Sequence, residues 1–295
     1  MMVEPRSITS LAASLYIDRP DRPLYHYTSI GPVLKIIPKG MLYATDVRYM
    51  TDASELLIFL ESMRAAMLME PPRDPLTTEL QVQLTRFLNT RLSELGHSLF
   101  VACFTQNGSL LSQWRSYCEP GKGISIGFDQ DKLADVARSQ GFMVGRCVYE
   151  PDQQQRIARQ VLTTLERQAI ETSGGAPERL IHKLLSAAEI DLLKIAVLFK
   201  DFGFREEDEW RAVSGVISNY HDAPIQFREG RSMITPYLEF HLPSAPDRRV
   251  DLEMVFLGPT PHPNSAMASM TKFLSKYGAS PRKALMPSNI RYRTT

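Results

Sequence analysis

The sequence has few cysteines and no long hydrophobic run. Its 295 residues include three cysteines, Cys103, Cys118 and Cys147, which lie far apart. This spacing predicts neither a disulfide framework nor a zinc site, and it is typical of a reducing compartment such as the cytoplasm. No stretch approaches 18 uninterrupted apolar residues, and residues 1–16 lack the basic start and apolar core of a signal peptide. We therefore expect a protein that is neither secreted nor membrane-spanning.

The sequence also has no dominant charge and no metal-ligand pattern. It carries 34 Lys and Arg against 33 Asp and Glu, a formal net charge of +1. No global field therefore favours nucleic acid or an anionic membrane, and contact with nucleic acid would need a local basic patch. Four histidines lack the spacing of metal ligands, so we expect no metal site. They are His182, His221, His241 and His262.

Hydrophobic residues make up 43% of the chain, which is enough to bury a sizeable core. One elaborated domain over residues 1–295 and two intimate domains both fit this length, and we expect the former, of α+β class. Periodicity predicts strands at 24–28, 41–45, 99–104, 124–128, 142–149, 210–217, 233–242 and 252–257. It predicts helices at 30–37, 52–70, 77–95, 110–117 and 264–277, and an all-helical insertion at about 152–200 around a linker-like stretch at 173–177.

The first candidate group is Tyr-His-Tyr-Thr at residues 25–28, at the end of a predicted strand and directly before a helix. Alternation places His26 and Thr28 on one face of the strand, and Tyr25 and Tyr27 on the other. A histidine so placed can donate to a ribose hydroxyl, while the neighbouring backbone clamps a carboxamide. A core histidine bonded to a backbone carbonyl explains the motif equally well, so both interpretations stay open.

The second candidate group lies on the predicted helix 110–117. Helical spacing puts Trp114 near Tyr117 and Ser112 near Ser116, so that two aromatic rings and a hydroxyl can line one wall. Flat aromatic rings suit a cationic pyridinium. Ordinary core packing is the commoner reason for such an aromatic pair.

The third candidate group is the acidic run 206–209, which ends where a predicted strand begins. Consecutive acidic residues usually form a solvated turn. In a strand, however, Glu207 and Glu209 point to the same side. Such a pair suits chemistry at an anomeric carbon, because one carboxylate can stabilise an oxocarbenium-like charge while the second orients or deprotonates the nucleophile.

In this order the three groups resemble the His-Tyr-Glu branch of the ADP-ribosyltransferase superfamily. The resemblance implies an ADP-ribosyltransferase-like fold, with a split mixed or antiparallel β-sheet core surrounded by helices, and NAD as the substrate. It implies that His26 contacts the NAD ribose and that Tyr117 or Trp114 stacks on nicotinamide. Glu209 would be the catalytic glutamate and Glu207 the earlier acid. The remaining members of the implied NAD-binding set are Tyr27, Thr28 and Ser112.

The whole chain also resembles a bacterial domain-of-unknown-function family, number 2971. The shared motifs are Leu-Tyr-His-Tyr-Thr at 24–28, Leu-Leu-x-x-Trp-x-x-Tyr at 110–117, Glu-x-Glu-Trp-Arg at 207–211 and Ser-x-Ile-x-Tyr-Arg at 288–293. The dipeptide at 51–52 is Thr-Asp where members often carry Asn-Asp. The Glu-x-Glu pair is better known beside an arginine first motif, so the acceptor type is not carried over.

We therefore expect a cytoplasmic enzyme that transfers ADP-ribose from NAD to a macromolecule. The resemblance implies a bacterial toxin or phage-defence effector, with an antitoxin or inhibitor protein as a further partner. An NAD glycohydrolase and a non-catalytic nucleotide-binding module of the same fold stay open. Nucleic acid is slightly favoured over protein as the acceptor, because six basic residues can form a patch, although a solvated surface explains them equally well. They are Arg228, Arg231, Arg282, Lys283, Arg291 and Arg293.

Overall fold

A computed structural model describes the chain over residues 5–17, 19–50, 55–91, 97–172, 177–230 and 232–290. Helices surround a sheet with strands in both orientations, so the predicted α+β class is confirmed. The strands are β1 Leu24–Ser29, β2 Met41–Asp46, β3 Phe100–Thr105, β4 Gly123–Phe128, β5 Met143–Arg146, β6 Glu209–Val213, β7 Gln226–Glu229, β8 Ile234–His241, β9 Met254–Leu257 and β10 Ala284–Pro287. The helices are α1 Ile8–Ser14, α2 Ile30–Lys39, α3 Glu55–Met69, α4 Pro75–Arg91, α5 Leu111–Tyr117, α6 Gln130–Ser139, α7 Pro151–Glu171, α8 Pro177–Ala196 and α9 Pro263–Lys276, with short 3₁₀ helices at Val47–Tyr49 and Phe202–Glu207.

Strand β3 organises the sheet because it pairs with three other strands. Along one edge, β6 runs antiparallel to β3 from Val101 to Thr105. On the other edge, β2 pairs with the start of β3 at Phe100 and Val101, and β1 pairs with its end at Thr105. The strands β1 and β2 therefore diverge, and between them lies a gap beside Cys103.

Two wings of the sheet extend from this gap. Strand β1 continues into β4, β9 and β10, whereas β2 continues into β8 and β7. The β9–β10 pair is parallel, while β1, β2 and β3 pair with their neighbours in antiparallel orientation. Helix α2 connects β1 directly to β2, so its residues border the same opening.

Two hydrophobic clusters hold the layers together. One joins the sheet to α2, α6 and α9 and includes Phe104 and Phe240. The other joins α1, α3, α4, α7 and α8, and there the ring of Phe59 lies edge-on to that of Phe199, with 5.1 Å between centroids. The helices predicted at 152–200 are thus α7 and α8, which share a core with the N-terminal helices. Across the described ranges, no helix has the length and apolar character needed to cross a membrane.

Two α-helices and two strands of the described residues were not predicted by periodicity, namely α1, α6, β7 and β10. Helix α6 is short and mostly polar, although Leu133 and Ala137 form a buried face at helical spacing. Every residue of β7 is exposed, so this strand shows no apolar pattern. Strand β5 ends earlier than predicted because the chain turns away to bridge Val148 with Phe199. The predicted helix start at 52–54 and helix end at 92–95 lie outside the described residues.

Candidate functional site

A residue in the left-handed conformation separates the two glutamates of the acidic run. Glu207 ends a 3₁₀ helix, Asp208 has φ 43° and ψ 52°, and Glu209 begins β6. Aspartate tolerates this conformation better than most residues, and the Arg146 guanidinium donates to its Oδ1 over distances of 2.9 and 2.7 Å. The prediction that both glutamates lie in one strand is therefore wrong, and the turn at Asp208 brings them together instead.

The two carboxylates share one ammonium group. The Nζ atom of Lys200 donates to Oε2 of Glu207 and to Oε2 of Glu209. The completely buried Arg211 guanidinium donates to Glu209 through Nε at 2.9 Å and through Nη2 at 3.1 Å. The Cys103 thiol lines the same cavity as Glu209. Two cations thus neutralise two anions, which burial of these charges requires.

The surroundings of the two glutamates separate their pKa values. Burial favours a raised pKa for Glu209, but the Arg211 and Lys200 cations outweigh it and lower that pKa to about 2. Burial raises the pKa of Glu207 above its ordinary value, although Lys200 opposes the rise. Burial also disfavours the charged form of Lys200, yet the Glu209 carboxylate outweighs it and raises the pKa of that ammonium. Glu209 is thus an anion at neutral pH, and Glu207 is the better proton acceptor.

His26 stands in the gap between β1 and β2. Its Nδ1 lies 3.0 Å from the carbonyl oxygen of Cys103, and its ring is edge-on to Phe104 with 6.0 Å between centroids. Burial lowers the pKa of His26, so the imidazole is neutral at pH 7. Because a carbonyl only accepts, Nδ1 carries the proton and Nε2 is an acceptor. The bond from a buried histidine to a backbone carbonyl, one of the two interpretations of the motif, is therefore observed. Nε2 can accept a hydrogen bond from a hydroxyl but cannot donate one.

Helix α5 presents two side chains towards the glutamates. Gln113 and Tyr117 lie one turn apart on the same face of this helix. The Tyr117 hydroxyl donates to Oε1 of Glu207 at 3.4 Å, while 43% of the residue stays exposed. Gln113 is only 6% exposed, and its amide has no hydrogen-bond partner within the described part of the chain.

Three other predicted residues have different surroundings. The Trp114 indole packs against the Tyr27 ring, with 4.6 Å between centroids, and lines a separate cavity of about 280 Å³. The Ser112 hydroxyl is buried without a partner among the described residues. The Tyr27 hydroxyl donates to the Asn107 carbonyl at 2.7 Å and accepts from the Leu110 N–H at 2.8 Å, so its polar group holds a turn.

Two cavities meet at His26. The smaller, which we name the glutamate cavity, has a volume of about 50 Å³, and its lining includes His26, Tyr27, Gln113, Tyr117, Glu207 and Glu209. The larger, which we name the basic cleft, has a volume of about 610 Å³, and its lining includes His26, Thr28, Lys35, Lys39, Tyr43 and Arg228. Its three cations have no ion-pair partner among the described residues, and one acid, Glu229, shares the rim. The basic cleft therefore attracts anions.

The structure brings five predicted site residues together at the glutamate cavity, and these are His26, Tyr27, Tyr117, Glu207 and Glu209. Thr28 lines the basic cleft, whereas Ser112 and Trp114 line neither cavity. Sequence reasoning missed Gln113, Lys200 and Arg211. Lys200 directly follows the buried apolar run 195–199, and Arg211 alternates with Glu209 along β6, so both positions carried a signal of buried charge.

The three described residues of the predicted basic patch do not lie together. The Arg282 guanidinium donates to Asp251 at 2.5 and 2.9 Å, and the Lys283 ammonium lies 2.6 Å from Glu253, beside β10 at one end of the sheet. Arg228 lies on β7 at the other end. The prediction of one patch is therefore wrong for these residues. Its other members, Arg231, Arg291 and Arg293, lie outside the described residues, as does the Thr-Asp dipeptide at 51–52.

Comparison with known proteins yields one family and no known activity. Residues 113–212 match a family described as "Protein of unknown function (DUF2971)". The predicted resemblance to that family is thus confirmed over this segment, which supplies Gln113, Tyr117, Lys200, Glu207 and Glu209. No curated protein and no solved structure matches the chain.

Proposed function

We propose that the chain is an NAD-dependent ADP-ribosyltransferase with an ADP-ribosyltransferase-like fold, which acts on a macromolecule in the cytoplasm. One observation carries the proposal, namely that His26 joins a cavity with a carboxylate pair to a cleft that attracts anions. A dinucleotide needs both, because its reacting ribose requires a carboxylate and its diphosphate requires cations. The divergence of β1 and β2 supports a split sheet, and three free cysteines suit a reducing compartment.

The two cavities differ in how well they fit the diphosphate and the nicotinamide ring of NAD. The basic cleft, at about 610 Å³, is within the range of small-ligand sites, and Lys35, Lys39 and Arg228 are placed to hold a diphosphate. The glutamate cavity, at about 50 Å³, has room for only a few water molecules. The nicotinamide ring therefore enters only when the side chains at the mouth move, and Tyr117 is the exposed one.

The glutamate pair suits a reaction in which the bond between ribose and nicotinamide breaks. The electron pair of that bond leaves with nicotinamide, which departs neutral, and positive charge develops on the ribose. Glu209, which is ionised at neutral pH, stabilises this positive charge. The nucleophilic atom of the acceptor then bonds to the same ribose carbon, and its proton passes to Glu207, whose pKa is the higher.

One observation favours a second candidate, a nucleotide-binding module without turnover. Glu209 already accepts twice from Arg211 and once from Lys200, which leaves little of its carboxylate for a ribose hydroxyl. In the second candidate the carboxylates only hold the fold. An NAD glycohydrolase, with water in place of the acceptor, would use the same residues as the transferase.

Incubation of the protein with labelled NAD and a cell extract distinguishes the transferase, the glycohydrolase and the binding module. A transferase releases nicotinamide and labels a macromolecule, and digestion of the product with nuclease or protease then identifies the acceptor class. A glycohydrolase releases free ADP-ribose and labels nothing. A binding module retains NAD unchanged over hours, which would contradict the proposal.

Three glutamine variants test the assigned roles. Glu209→Gln should lower nicotinamide release by a factor of about 10² to 10³, because the developing charge loses its counterion. Glu207→Gln should lower transfer about a hundredfold and nicotinamide release less, because the acceptor keeps its proton. Glu206→Gln is the matched control, since Glu206 is exposed in the same acidic run. A folded Glu209→Gln protein that transfers label at the control rate would rule out our assignment.

A further inference from the structure

Gln113 is a buried polar side chain whose amide bonds to nothing in the described structure. Its exposed fraction is 6%, and it lines the glutamate cavity beside Tyr117, Glu207 and Glu209. An amide carries two N–H donors and a carbonyl acceptor. The Gln113 residue is largely buried, but its amide atoms are not sealed from solvent, so they face the cavity and are open to a ligand there.

Most of the other polar groups around the cavity have partners in the described structure, although Nε2 of His26 does not. The Lys200 ammonium is shared by Glu207 and Glu209, and Nδ1 of His26 is bonded to the Cys103 carbonyl. Among the described residues that line the cavity, Gln113 is therefore the side chain with free donors and a free acceptor together. Tyr117, one helical turn later, adds a half-exposed aromatic ring about 5 to 6 Å away between Cβ atoms. One face of α5 thus offers an amide and a flat ring side by side.

We propose that Gln113 is a specificity-determining residue that binds the primary carboxamide of the leaving group, and this inference rests on the proposed function. Two carboxamides form reciprocal N–H to carbonyl bonds, and the ring that bears the ligand amide then lies against Tyr117. A carboxylate in place of that amide has no donor for the Gln113 carbonyl. It also brings a further negative charge towards Glu207 and Glu209, so the site selects nicotinamide over nicotinate.

Steady-state kinetics with NAD and with its deamidated analogue, nicotinic acid adenine dinucleotide, test this selection. The wild type should show a KM at least about tenfold higher for the analogue. Gln113→Met, which keeps length but loses the amide, should raise the KM for NAD about tenfold and leave kcat within about threefold. The same variant should leave the KM for the analogue unchanged. Ser116→Ala, an exposed position on the same helix, is the control and should change neither.

Equal effects of Gln113→Met on both dinucleotides, or no effect on either, would overturn the role of Gln113 while leaving the transferase intact. Gln113→Leu repeats the test if the methionine variant does not fold. Calorimetric titration of both dinucleotides separates binding from turnover. Wild-type binding that prefers NAD, with that preference lost in the variant and no turnover, would support Gln113 and reject the transferase. Absence of binding by the wild type would reject both.

Discussion

Lys200 is the residue on which the charge balance of the candidate site depends. Its side chain is 3% exposed and is shared by the Glu207 and Glu209 carboxylates. It follows a run of apolar residues that are buried in the core, so its ammonium has little access to water. Without this cation, two carboxylates would face each other with Arg211 alone to balance them.

Replacement of Lys200 by methionine keeps most of the side-chain volume and removes the charge. We expect the free energy of unfolding at pH 7 to fall by about 3 to 5 kcal/mol, because one partner of a buried ion pair is lost. The pKa of Glu207 should then rise further above its unfolded value, whereas that of Glu209 should rise less, because Arg211 stays beside it. Protonation of Glu207 at lower pH should relieve the destabilisation. The stability difference from wild type should therefore narrow between pH 7 and pH 4.

Chemical denaturation at several pH values measures this difference. In the wild type, the low pKa of Glu209, about 2, contributes stability that is present above the ordinary carboxyl pKa and lost as pH falls towards 2. Lys122→Met is the control, because Lys122 pairs with Glu119 at 2.7 Å and both side chains are exposed. We expect its cost to stay below about 1 kcal/mol. A difference for Lys200→Met that stays constant with pH would contradict the charge argument.

At the scale of elements, the junction between the second 3₁₀ helix and β6 positions both carboxylates. Asp208 holds the positive φ that lets Glu207 and Glu209 approach the same ammonium, although they belong to different elements. Glu209 on β6 pairs with Thr105 on β3, which in turn pairs with Tyr25 on β1. The junction therefore also sets the position of Glu209 relative to the gap between β1 and β2.

Two substitutions at Asp208 separate backbone conformation from the contact with Arg146. Both Asp208→Gly and Asp208→Ala remove that ion pair, but only glycine adopts positive φ without steric cost. We expect the alanine variant to be less stable than the glycine variant by about 1 to 2 kcal/mol, as measured by thermal or chemical denaturation. Nicotinamide release should fall more for alanine, and equal values for the two variants would argue against a role of the turn.

At the scale of the whole molecule, charge is balanced overall and uneven locally. The net charge is +1, yet Lys35, Lys39 and Arg228 around the basic cleft have no ion-pair partner in the described part of the chain. Elsewhere the described basic residues often neutralise acids, as Arg282 does with Asp251. An anion approaching the molecule therefore meets a favourable potential between β1, α2 and β2.

Charge reversal in the basic cleft tests this distribution. The double variant Lys35→Glu and Lys39→Glu should raise the KM or Kd for NAD by a factor of about ten or more and should weaken its salt dependence. The double variant Lys272→Glu and Lys276→Glu is the matched control, because it changes the net charge equally and has the same spacing on exposed positions of α9. Equal effects of the two double variants, measured by titration at several salt concentrations, would reject the cleft as the diphosphate site.

Sequence alone determined the features that depend on neighbours along the chain. Four elements follow their predicted bounds within about two residues, because apolar periodicity and turn residues act locally. They are β1, β2, α2 and the fully buried β4. The candidate side chains His26, Tyr117, Glu207 and Glu209 were also recognisable, because their residue types suit chemistry at a ribose. Exposed β7 was missed, because edge pairing leaves no apolar alternation.

Only the tertiary structure decided which of these residues meet. It gave both glutamates Lys200 as a common partner and placed Trp114 against Tyr27. It left the Gln113 amide in the cavity wall without a partner among the described residues. It also opened the gap between β1 and β2, because three strands compete for the two edges of β3. The physical reason is that burial, ion pairing and strand order depend on contacts between residues far apart in the chain, which periodicity does not record.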